Sequence, residues 1–70
     1  MFYGGNMVTV NGEKKDLGGK NVAEMLEIMG FVGARVAVEI NGELIPRARR
    51  ADTLLRDGDS VEVVSFVGGG

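Results

Sequence analysis

Seventy residues with a formal net charge of −2 make one small domain, too short for a second. The chain has no cysteine and no histidine. Disulfides, thiolate metal sites, cysteine nucleophiles and the commonest general base are thereby excluded, and the acidic balance argues against nucleic acid or an anionic membrane surface as a partner.

In chain order, Met1–Asn6 reads as a loose leader with neither the basic start nor the apolar stretch of a signal peptide, and patterning begins at Met7. Met7-Val8-Thr9-Val10, Asn11-Gly12 and Glu13–Leu17 predict a hairpin, because Asn-Gly tolerates the positive φ of a type I′ turn. Val8 and Val10 share its core face. Lys14, Lys15 and Asp16 mark the second strand as an exposed edge.

Gly18-Gly19-Lys20 breaks the chain before a helix. Asn21 is a good N-cap and Glu24 sits where a capping box needs it. Val22, Met25, Leu26 and Met29 fall at i, i+3, i+4 and i+7, one apolar stripe. Gly30 is expected to end the helix in the left-handed conformation, with Phe31 supplying the apolar contact that follows.

Val36–Ile40, Asn41-Gly42 and Glu43–Pro46 predict a second hairpin, ended by a proline that cannot donate to a ladder. Arg47–Leu55 is irregular, with a short helical turn expected to carry Leu54 and Leu55 inward. Asp57-Gly58-Asp59 is a turn, and Ser60–Val67 is a strongly β-forming strand. The fold class is α+β, a five-stranded sheet with one helix on one face, in the order ββαββ(turn)β. Alternation along the last strand sends Val61 and Val63 to the helix-covered core. Val64 and Phe66 then lie on the open face beside the C-terminal glycines, as a docking patch.

Chemical motifs are few. Gly19-Lys20 is the only Gly-Lys step, but Lys14 stands where a P-loop needs its first glycine and Asn21 where it needs a hydroxyl. Asp57 and Asp59 are turn chemistry, and Ser60 and Ser65 have no histidine to activate them. Arg47, Arg49, Arg50 and Arg56 form a local basic cluster, read either as a solvated loop face or as a contact for an acidic partner. There remains Val67-Gly68-Gly69-Gly70. A strong strand runs without a polar linker into three glycines, whose backbone freedom lets an unhindered terminal carboxylate enter a narrow slot. The organisation expected is a leader at 1–6, a domain at 7–67 and a flexible tail at 68–70.

The stretch Val36-Ala37-Val38-Glu39-Ile40-Asn41-Gly42-Glu43-Leu44-Ile45-Pro46-Arg47, with Asp57-Gly58-Asp59 leading through the last strand to Phe66-Val67-Gly68-Gly69-Gly70, resembles the ThiS family of thiamin-pathway sulfur carrier proteins. The resemblance covers Met7–Gly70 and implies a ubiquitin-like β-grasp fold with a mixed sheet. It implies a cytoplasmic protein that is not itself an enzyme. A ubiquitin-activating-like adenylyltransferase would use ATP to adenylate the Gly70 carboxylate. A persulfide donor such as a cysteine desulfurase system would convert it to a thiocarboxylate, and a thiazole synthase would take the sulfur. Gly68 and Gly69 would thread the partner active sites, with Val64, Phe66 and Val67 as docking residues. No metal and no cofactor would be bound by the chain itself. The leader departs from the family pattern. A molybdopterin-synthase small subunit, a ubiquitin-like modifier conjugated to lysines and a β-grasp interaction module with an inert tail are the alternatives. The first typically carries prolines and a serine before its last glycines, where this chain has Ser65-Phe66-Val67-Gly68.

Overall fold

The computed structural model describes residues 6–31 and 35–66. The strands are β1 (Met7–Val10), β2 (Glu13–Asp16), β3 (Val36–Ile40), β4 (Glu43–Leu44) and β5 (Ser60–Ser65). One α-helix, α1 (Val22–Ile28), and a 3-10 helix, Arg47–Asp52, complete the order. The strands form a single mixed sheet in the spatial order β2-β1-β5-β3-β4. Thus β5 is central, parallel to β1 on one side and antiparallel to β3 on the other.

Both hairpins turn as the Asn-Gly steps dictate. Asn11 and Asn41 each have φ of 52°, followed by Gly12 at 86° and Gly42 at 85°, the paired positive values of a type I′ turn. β2 is an edge strand, mostly exposed, as its Lys-Lys-Asp run requires. Asn6 already belongs to this hairpin. Its carbonyl accepts from the Gly18 N–H at 2.7 Å, and a Cβ on Gly18 would fall 2.7 Å from the Asn6 Cα.

The helix has local signals at both ends. The Asn21 side-chain oxygen accepts from the Glu24 N–H at 2.8 Å, and the Asn21 N–H donates to Glu24 Oε1 at 2.9 Å, a complete capping box. At the other end Gly30 has φ of 85°. Its N–H donates to the Glu27 carbonyl at 3.1 Å, while the Phe31 N–H donates to that of Leu26 at 2.8 Å, the two bonds of a Schellman motif.

Val22, Met25 and Leu26 are buried, and Met29 and Phe31 pack against the core from its margin. The opposing face of the sheet supplies Val8, Val10, Val36, Val38, Ile40, Val61 and Val63, and Leu17 and Leu55, from outside the strands, complete the cluster. Each large side chain in this cluster contributes roughly 1.5–3 kcal/mol by leaving water.

Two expectations are corrected. Leu54 does not go inward with Leu55: it is 58% exposed, whereas Leu55 is 1% exposed. The helical turn ends at Asp52, and residues 53–55 run extended against the entrance to α1. The Val22 N–H donates to the Thr53 carbonyl, the Leu55 N–H to that of Lys20 and the Gly19 N–H to that of Leu55. In an extended segment successive side chains point to opposite sides, so one leucine enters the core and its neighbour faces water. The return strand of the second hairpin is also shorter than Glu43–Pro46. It pairs only over Glu43–Leu44, with the Ile45 N–H still reaching the Val38 carbonyl at 2.8 Å before Pro46 turns the chain into the 3-10 helix.

Candidate functional site

β5 leads to the C-terminal residues, and several elements fix its course. Along β3 it is paired from Val36↔Ser65 to Ile40↔Val61. Beyond β5 the Phe66 N–H still donates to the Arg35 carbonyl at 2.9 Å. On the β1 side regular pairing covers only Thr9↔Ser60 and Val10↔Val61, because β1 turns away at Asn11. The Asn11 side chain takes over there, accepting from the Val63 N–H at 2.8 Å and donating to its carbonyl at 3.2 Å.

Asp57-Gly58-Asp59 anchors the other end of the strand. Asp57 Oδ1 accepts from the Met7 N–H, and the Gly58 N–H donates to the Met7 carbonyl. Asp59 accepts from the Asn41 side chain and from the Arg56 N–H. These carboxylates are spent on local hydrogen bonds. Among the described residues no group of three or more potential metal ligands occurs.

Cross-strand register places Val64 opposite Ala37 on the open face, with Leu44 opposite Glu39 one step along. Val64 is 53% exposed and Leu44 60%. The same register sets Glu39 directly opposite Glu62, two exposed carboxylates side by side. Phe66, 59% exposed, lies past the end of β5. It lines a groove of about 210 Å³ with Arg35, Val36, Arg47 and Arg50. Val67, Gly68, Gly69 and Gly70 lie outside the described residues.

This groove was only half legible in the chain. The basic run does not act as one cluster. Arg47 and Arg50 are three apart in a 3-10 helix, where i and i+3 eclipse, so both border Phe66. Arg49 instead lines a second groove, with Glu43, Ile45, Pro46 and Thr53. Arg35 joins through the backbone bond to Phe66, for which no local spacing gives a signal. No helix among the described residues is long and apolar enough to cross a membrane.

A mixed five-stranded sheet closing on one helix, with its last strand at the centre, defines a ubiquitin-like β-grasp domain. The ThiS family model matches residues 4–70. A Thermus thermophilus protein described as sulfur carrier protein ThiS is 47% identical over 64 residues, covering 91% of this chain and 100% of its own length. The crystal structure of ThiS from Geobacter metallireducens superposes with a TM-score of 0.76 at 38% identity, covering 91% of this chain and 99% of that one. The chain belongs to the ThiS family. It is also 36% identical over 64 residues to a thiazole synthase from Paramagnetospirillum magneticum, of whose length the matched segment spans 20%.

Proposed function

We propose that this chain is the sulfur carrier of thiamin thiazole formation and that its reacting group is the carboxylate of Gly70. The observation that carries the reading is the family match, which runs through the last strand to residue 70. A ubiquitin-activating-like adenylyltransferase binds ATP, and the carboxylate attacks the α-phosphate with loss of pyrophosphate. The outer sulfur of a persulfide donor, such as a cysteine desulfurase system, then displaces AMP to form an acyl disulfide. A second thiol of the donor system cleaves its S–S bond, leaving the thiocarboxylate on Gly70 and a disulfide on the donor. The chain contributes no catalytic group: its part is to hold out an unhindered carboxylate, with Gly68 and Gly69 passing through partner slots that a Cβ would block. Val64, Phe66 and Val67 are the docking residues beside that tail.

A thiazole synthase as the sulfur acceptor is supported by the Paramagnetospirillum protein, in which a segment similar to this chain is part of a thiazole synthase polypeptide. ATP chemistry of this kind belongs in the cytoplasm, with the nucleotide bound by the partner alone.

The test is intact mass after incubation with the adenylyltransferase of the same genome, ATP and a sulfur donor. Replacement of one oxygen by sulfur at Gly70 is expected, and a chain lacking Gly70 should fold normally yet take up neither AMP nor sulfur. Isopeptide-linked products would identify a protein modifier instead. Sulfur transfer only to a molybdopterin synthase would assign the chain to that pathway.

A further inference from the structure

We propose that the groove between Phe66 and the arginines Arg35, Arg47 and Arg50 seats an acidic side chain of the protein that activates Gly70, and so orients the tail as it enters. The inference rests on the carrier reading above and adds the chemistry of the contact.

Distance brings the partner to the groove. Four peptide steps separate Phe66 from Gly70, and an extended chain covers at most about 3.6 Å per residue. A protein surface closed around Gly70 therefore lies within about 14 Å of Phe66. The lining supplies the sign of the contact. Three of its five residues carry guanidinium groups and none carries a carboxylate. Among the described residues the ion pair present is Lys15–Glu13, within the edge strand β2 and away from the groove. The chain as a whole is acidic, so this local positive charge runs against its composition.

Arg50 is already held in place. One of its terminal nitrogens, Nη2, donates to the Val36 carbonyl at 2.6 Å, and its Nε is buried without an acceptor. A guanidinium positioned this way has lost much of its rotational freedom before a ligand arrives, and its planar fork suits a carboxylate. Size selects the occupant. At about 210 Å³ the groove is smaller than the roughly 300–1,000 Å³ of small-molecule sites, so it fits a single side chain better than a nucleotide.

Arg35 and Arg47 are exposed and serve as the test, because Arg50 also supports β3. The chain carrying Arg35→Glu and Arg47→Glu is assayed with its adenylyltransferase by ATP–pyrophosphate exchange at several salt concentrations. KM for the carrier should rise about tenfold with kcat unchanged, and the salt dependence of kcat/KM should flatten, as when facing rim charges are removed. The milder pair Arg35→Gln and Arg47→Gln should fall between, with an unchanged melting temperature. KM and salt dependence equal to wild type in both variants would overturn the proposal while leaving the carrier reading intact. If wild-type chain gives no exchange at all, the carrier reading itself falls. Saturable binding of inorganic phosphate or AMP to the free chain, followed by NMR at Phe66 and lost in the Glu variant, would assign the groove to a free anion and also overturn the proposal.

Discussion

Asn11 holds both backbone polar groups of Val63 with one side chain, accepting from the N–H at 2.8 Å and donating to the carbonyl at 3.2 Å. The amide acts as an added peptide unit, continuing the β1 ladder along β5 after the β1 backbone has turned away. The same residue adopts φ of 52° to make that turn. Substitutions separate the two roles. Asn11→Gly keeps the backbone conformation and loses both hydrogen bonds, which should cost about 1–3 kcal/mol. Asn11→Ala also incurs the left-handed penalty, roughly 1–2 kcal/mol more. The order wild type, Gly, Ala in urea unfolding checks this; a glycine variant as stable as wild type would mean that the side-chain bonds add nothing.

Leu54 and Leu55 differ only in direction, so they make a matched pair. Leu55→Ala should destabilise the domain by about 2–5 kcal/mol, the range for an aliphatic side chain removed from a packed interior. Leu54→Ala should change stability by no more than about 0.5 kcal/mol. In a domain of this size the first loss approaches the whole folding free energy. Thermal melts of the two variants read the contrast directly, and equal shifts would place both leucines in the core.

Glu39 and Glu62 face each other across β3 and β5 with no cation between them among the described residues. Like charges in direct cross-strand register oppose folding. Glu62→Lys should therefore stabilise the chain by about 0.2–1 kcal/mol, with the gain shrinking as salt rises. Chemical denaturation at low and high salt checks both the sign and the screening.

Val64 on β5 and Phe66 just past its end are exposed hydrophobic residues on the way to the C-terminal glycines. Val64→Asp and Phe66→Asp should weaken binding to the adenylyltransferase about tenfold or more, as removal of an interface anchor does. Loss of stability should stay within about 1 kcal/mol, the span of strand propensity. Calorimetry on the isolated chain and titration against the partner separate the two effects. A large fall in melting temperature with normal binding would assign these residues to the core.

What was legible in the chain is what neighbours decide. Asn-Gly needs only its own φ values, Asn21 and Glu24 need only each other, and the alternation from Val61 to Val64 follows from the pleat. Those signals place both hairpins, both helix ends and the exposed valine of the last strand. Leu54 was misjudged because its direction depends on pairing with Lys20 and Val22, more than thirty residues away. The meeting of Arg35 with Arg47 and Arg50 escaped for a related reason. It arises where the end of β5 joins the start of β3, and a contact between distant segments has no period to read. The tail was read from residue type alone, and Val67–Gly70 lie outside the described residues.

The central place of β5 has a mechanical consequence. A pull on Gly70 along the strand loads the ladders to β1 and β3 at once, and it does so in shear, so their hydrogen bonds resist together instead of parting one after another. A load entering at the C-terminal side of β5 therefore meets a strand held by neighbours on both sides, not an edge that can peel away.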